Sequence, residues 1–212
     1  QPTMTGALSA PSAAPHDFYA DHPTSSCNLI IGDKTLKVSS ELLGMHSHFF
    51  RSLFFKVNPE YKGPVEERGE DGEKIVKPAV EPFDPLADTT PNLIRTEIKD
   101  VRLDNVKVEE VIDLLNIIYP SDAPITDANV AYIVELADKY LFNVIIHECE
   151  QHLTATSELP KEDRLLLADK YHMCDLVDQI VKELTKTEIQ NLINLKLSER
   201  TTKAMVKHLT AI

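Results

Sequence analysis

The chain has 212 residues, 42% hydrophobic and 26% charged, which suits one globular domain or a domain with an appendage. Its formal net charge of -12 and the lack of any basic run argue against nonspecific nucleic-acid binding, which needs clustered Lys and Arg to displace counterions. No apolar run approaches the ~18 residues of a membrane span, and the three cysteines, Cys27, Cys149 and Cys174, have no C-x-x-C spacing that would indicate a zinc site or disulfide framework.

Residues 1–24 are rich in Ala, Ser, Thr and Pro and read as a disordered tail or linker, with order expected from near Ser26. The apolar run Leu29, Ile30, Ile31, the turn pair Gly32-Asp33 and the alternation through Val38 predict a β-hairpin with a two-residue turn. Ser39 or Ser40 is placed to cap a helix carrying Leu42, Leu43 and His46. A second short helix is expected to hold Phe49, Phe50, Leu53 and Phe54. Four of the seven phenylalanines fall between positions 49 and 55, a density that marks a core or an interface.

Residues 58–92 hold six of the thirteen prolines and three of the six glycines, and the stretch is acidic. It reads as an exposed insertion, because a long structureless segment inside a compact domain is uncommon. Ile94, Thr96 and Ile98 then alternate with polar residues, which predicts a strand returning to the sheet. No glycine follows Gly72, as expected of nearly continuous helices. Val108, Val111, Ile112, Leu115, Ile118 and Tyr119 form one apolar helix face, closed by Pro120 and Pro124. Thr126 or Asp127 is expected to cap the next helix, and Asn143 the one after.

The pentapeptide Leu-Ala-Asp-Lys-Tyr occurs twice, at 136–140 and 167–171, a spacing of 31 residues. The register extends beyond the word. Ile145, Cys149 and Leu153 precede Leu176, Ile180 and Leu184 by the same interval. Such a period marks a repeated helix pair that cannot bury its apolar face alone. Stacked pairs present surface to other proteins more often than they perform chemistry. Pro160 opens the second copy, Thr185 through Glu188 has the form of a capping box, and Ser198 is placed to start a last helix with Met205, Val206 and Leu209.

Several residues invite a chemical reading and are assigned a structural one. His46 and His48 are two apart, and on a helix they point to different faces, so a shared ion is not expected. Cys149 with His147 or His152 lacks any oxyanion motif, and nothing cationic adjoins the thiol in sequence to activate it. Asp138 and Asp169 sit in repeated words and are expected to make a surface ion pair or an inter-helix hydrogen bond, in equivalent roles. No catalytic residue, metal or cofactor is therefore assigned. Free cysteines favour a reducing compartment, so a cytoplasmic or nuclear location is expected.

The string Asn28-Leu-Ile-Ile-Gly-Asp-Lys-Thr-Leu-Lys-Val38 is followed by Leu42-Leu-Gly-Met-His-Ser-His-Phe-Phe-Arg-Ser-Leu-Phe54. Later come Glu97-Ile-Lys-Asp-Val101, Leu114-Leu-Asn-Ile-Ile-Tyr119, and 129–153 with the repeated word inside. In this order and spacing they resemble a BTB/POZ domain. The second helix pair, at 158–185, resembles the 3-box that opens a BACK extension. The residue pair before the first strand, Cys27-Asn28, departs from the family's usual acidic residue, and the insertion is longer than usual. The resemblance implies an α+β fold: a small mixed sheet with a helical cluster over residues 25–154, then a mostly helical extension over 155–212.

It further implies a protein-interaction module and not an enzyme. The expected function is a homodimeric substrate adaptor of a cullin-3 RING ubiquitin ligase. The alternative is a homotypic oligomerisation or scaffolding module that does not bind cullin. By family position the dimer face is expected at Leu42, Leu43, Met45 and His46. The cullin face is expected at Phe50, Phe54, Val65, Glu67, Tyr119, Phe142 and Asn143, with Val65-Glu66-Glu67 in the form of a hydrophobic-x-Glu element. The partners implied are a second copy, the cullin-3 N-terminal region and a substrate protein, with no nucleic acid and no membrane. The chain starts at Gln1 and not Met, which leaves open an upstream domain, for example MATH.

Overall fold

The computed structural model describes residues 16–57, 66–68, 74–76, 93–119, 121, 123–192 and 195–210. They divide into two compact units, Asp17–Val108 and Glu109–Ile212, with His16 assigned to the second.

In the first unit, β1 (Cys27–Ile31) and β2 (Lys34–Val38) form the expected hairpin, pairing Cys27 with Val38 and Ile31 with Lys34. Gly32 takes a left-handed φ of +58° in the turn, a conformation open to glycine at little steric cost. Alternation does the rest. Cys27, Leu29, Ile31, Leu36 and Val38 are buried, so one face of the hairpin belongs to the core. The third strand of this sheet is β7 (Asp100–Arg102), parallel to β1 and pairing Val101 with Leu29.

The strand expected over 94–98 is shorter and lies elsewhere. β6 (Leu93–Arg95) pairs antiparallel with β3 (Phe55–Val57) in a separate two-stranded sheet. The returning strand is instead the three-residue β7, too short to show alternation in sequence. Most of the insertion lies outside the described residues. Within it, β4 (Glu66–Arg68) and β5 (Lys74–Val76) form an antiparallel pair.

Two short helices, α1 (Ser40–His46) and α2 (His48–Phe54), are started by serines. Ser39 Oγ accepts from the Leu42 N–H at 3.1 Å, and Ser47 Oγ accepts from the Phe50 N–H at 3.1 Å. Ser47 also ends α1 by donating its N–H to the Leu43 carbonyl, so one residue closes one helix and opens the next. A Cβ on Gly44 would lie 2.7 Å from the Phe55 ring, which explains the smallest residue there. Phe50 and Phe54 stack with centroids 6.0 Å apart and are buried, while Phe49 and Phe55 are half-buried.

The segment 17–24, expected within a tail, is anchored. Phe18 is buried, and its carbonyl accepts from the Lys37 N–H of β2 at 2.7 Å.

The second unit is helical: α3 (Val108–Ile118), α4 (Val130–Lys139), α5 (Asn143–Ala155), α6 (Lys161–Lys170), α7 (Cys174–Glu183), α8 (Lys186–Leu192) and α9 (Glu199–Leu209). The α3 face of Val111, Leu114, Leu115 and Ile118 is buried, as its spacing predicts. Copies α4–α5 and α6–α7 repeat the same packing. Ala137 and Ala168 are buried, as are Ile145 and Leu176, Cys149 and Ile180, and Leu153 and Leu184.

The capping-box expectation holds. Glu188 Oε2 accepts from the Thr185 N–H at 2.7 Å, and Thr185 Oγ1 accepts from the Glu188 N–H at 3.3 Å. Ser198 caps α9 by accepting from the Thr201 N–H. Two expected caps differ. Thr126 and Asp127 lie in a turn before α4, closed when the Thr126 carbonyl accepts from the Asn129 N–H. Asn143 is the first residue of α5, after Phe142.

Candidate protein-interaction surface

The repeated word places two loops in the same geometry. Tyr140 ends α4 by donating its N–H to the Leu136 and Asp138 carbonyls, and Tyr171 ends α6 on Leu167 and Asp169 in the same way. The next residues, Leu141 and His172, have φ of 56° and 58°. Phe142 then donates its N–H to the Ala137 carbonyl at 2.8 Å, and Met173 to Ala168 at 2.8 Å. This is the helix stop that a left-handed residue allows. In both loops a buried side chain follows, Phe142 in one and Met173 in the other.

The outer residues of the two loops differ. In the first, Leu141 is 47% exposed and Val144 55%, with Asn143 exposed between them. In the second, the same positions hold exposed His172, Cys174 and Asp175. Leucine is disfavoured at a left-handed position, where its Cβ crowds the following carbonyl. Polar residues satisfy the same backbone in the second copy, so the fold does not demand an apolar corner in the first.

The expected dimer residues separate on α1. Met45 is 41% exposed, Leu42 and His46 are half-buried, and Leu43 is fully buried. Of the expected cullin residues, Phe50, Phe54, Tyr119 and Phe142 are buried in this single chain and serve its core. Tyr119 lies against the His16 ring, centroids 4.7 Å apart. Asn143 is exposed. Glu67 lies in β4 opposite Ile75, and Val65 lies outside the described residues. Leu141, which the helical spacing places on the inner side of its helix, is exposed instead, and with Val144 it flanks the expected positions Phe142 and Asn143. Their exposure on an apolar corner was the missing signal.

The polar residues hold helices in place. Asp169 accepts from the Ser198 N–H at 2.7 Å and from the hydroxyls of Ser198 and Thr201 at 2.5 Å each, which ties α6 to the start of α9. Burial pushes its carboxyl pKa up, but these hydrogen bonds outweigh that and the pKa is lowered. Asp138, its repeat counterpart, is exposed, so the two aspartates do not share a role. Asp127 accepts from His152 Nε2 at 2.8 Å and from the Glu158 N–H at 2.8 Å, joining the first copy to the approach of the second. Its pKa is lowered by Ser157 first, against some opposing burial, with help from Glu158 and His152.

The two buried thiols, Cys27 and Cys149, are inert. Burial pushes Cys149 up to about 12, with Glu148 adding to it, so the nucleophile is absent at neutral pH. Burial, with Glu41 adding to it, does the same to Cys27. Among the described residues no group of His, Cys, Asp and Glu is placed to hold a metal ion, and no helix is long and apolar enough to cross a membrane.

A family model for the BTB/POZ domain matches residues 86–157, the part of the chain that holds α3, α4 and α5. The chain carries a BTB/POZ domain. It is similar to BTB and MATH domain-containing protein 38 of Caenorhabditis elegans, 34% identical over 108 residues, which is 51% of this chain and 27% of that protein. It is also similar to BTB and MATH domain-containing protein 36 of the same organism, 28% identical over 89 residues, 42% of this chain and 28% of the relative. A further Caenorhabditis elegans BTB/POZ domain-containing protein matches at 24% identity over 196 residues, 91% of this chain and 51% of the relative. The chain thus spans between about a quarter and a half of the relatives it matches. The BTB fold, with its α+β domain and appended helices, agrees with the α+β expectation. A BTB/POZ domain is a protein-interaction module, used for self-association and for binding other proteins.

Proposed function

We propose that this BTB chain is a non-enzymatic, homodimeric adaptor that brings a substrate protein to a cullin-3 RING ubiquitin ligase. The observation that carries the reading is the apolar corner of Leu141 and Val144, present in the first helix pair and replaced by His172 and Asp175 in the second. Two exposed apolar side chains three residues apart, where the fold accepts polar ones, support a docking role for this corner. Within the helical unit the cullin-binding residues are then Leu141, Asn143 and Val144. The domain limits are 25–154 for the BTB domain and 155–212 for a BACK-like extension. The extension matters because a stable interface takes ~800 Å² from each partner. In this reading the client is held by a further domain of the MATH type named in the relatives.

The test is calorimetric titration of the chain with the purified cullin-3 N-terminal region. Wild type is expected to bind below ~10 µM, or about 7 kcal/mol. Val144→Asp is expected to abolish binding and leave the fold intact, because the side chain is exposed. Light scattering reports the dimer, and Met45→Asp is the informative variant. A carboxylate at Met45 enters a subunit seam without unfolding the chain, whereas at buried Leu43 it would unfold the monomer. A wild-type dimer that ignores cullin supports the scaffolding alternative and rejects the adaptor.

A further inference from the structure

The first unit contains a shallow cleft of 550 Å³ whose lining includes Asp21, Ser25, Asn28, Lys37, Arg95 and Lys99. In a chain of net charge -12, three cations line the cleft with one carboxylate, Asp21, while Glu41 and Asp100 lie against the lining residues Arg95 and Asn28. The cations are not equivalent. Arg95 is structural: it lies 2.7 Å from the Glu41 carboxylate and donates to Ser40 Oγ at 2.8 Å. Lys37 holds Asp21 at 2.6 Å, but the Asp21 side chain is 91% exposed and so lightly held. Lys99 is exposed and, among the described residues, has no carboxylate partner.

The segment leading into the cleft shows how a ligand would lie. Phe18 fixes it by burial and by the carbonyl that accepts from the Lys37 N–H at 2.7 Å. Three residues on, Asp21 delivers its carboxylate to the Lys37 ammonium. We propose that this cleft binds an extended acidic segment of a partner protein, with carboxylates on Lys37 and Lys99, and that Asp21 is the internal placeholder it displaces. The site is independent of the cullin reading, since it uses none of the same residues.

The test is fluorescence anisotropy of the whole chain with a labelled peptide of alternating Glu and Ser, against a control peptide of Gln and Ser. The acidic peptide is expected to bind and the control not to, with affinity falling as salt is raised. Lys99→Glu is expected to weaken binding at least fivefold. Asp21→Asn, which removes the competitor, is expected to tighten it two- to fivefold, the size of one exposed ion pair. Thermal melts of both variants should match wild type, because both side chains are exposed. Equal binding of both peptides, or an Asp21→Asn variant that binds no more tightly than wild type, overturns the proposal. So does equal binding by Lys99→Glu.

Discussion

The two helix pairs α4–α5 and α6–α7 share a backbone, a buried row and a loop geometry, yet their surfaces have parted. Ala137 matches Ala168, Ile145 matches Leu176 and Leu153 matches Leu184, all buried. On the outside, Leu141 faces His172 in the alignment, Val144 faces Asp175, and exposed Asp138 faces the hydrogen-bonded Asp169. Core positions are held by packing, which penalises any change of volume. Surface positions are not, so the two copies are free to differ there. The first copy offers an apolar corner, and the second is tied by Asp169 to the helix that follows.

The largest expected effects test the shared part. Leu153→Ala and Leu184→Ala should each cost about 2–5 kcal/mol, read from urea unfolding midpoints. If one is costly and the other neutral, the two copies are not packed alike. Next comes the divided aspartate. Asp169→Ala should lose about 1–2 kcal/mol with the hydrogen bonds from Ser198 and Thr201, while Asp138→Ala stays within about 0.5 kcal/mol. Because the Asp169 pKa is lowered on folding, its contribution is present above the unfolded carboxyl value, ~3.9. It fades as pH falls through the lower folded value. Wild type and Asp169→Ala should therefore converge in stability at the acid end of a pH series, and parallel curves would assign the loss to packing.

The smallest expected effect separates the corners. Leu141→Gly and His172→Gly each relieve a left-handed non-glycine residue, a strain of about 1–2 kcal/mol that the added chain entropy of glycine partly offsets. Both variants should keep or slightly raise the melting temperature. Only Leu141→Gly should weaken cullin-3 binding. Equal binding by both variants would remove the corner from the interface.

Local patterns were legible where one stretch of chain carried the whole signal. Gly32-Asp33 between apolar runs marked the hairpin, Thr185 and Glu188 the capping box, and the 31-residue repeat the paired helices. Each depends on neighbours within one turn or one period, so residue order alone determined it. The resemblance to the BTB family added the order of sheet and helices. Other features depended on residues far apart in the chain. β7 is too short to announce itself and exists as a strand because β1 offers it a parallel edge. Phe18 looked like part of a tail, and burial made it an anchor. Phe50, Phe54 and Phe142 looked suited to a partner, and the chain's own core took them. Asp169 was one half of a repeated word until Ser198 and Thr201 came within hydrogen-bonding distance. Sequence therefore determined which elements form and how they repeat, because periodicity, turns and caps are local. Tertiary structure decided which side chains are left for a partner, because exposure is what remains after distant elements have covered one another.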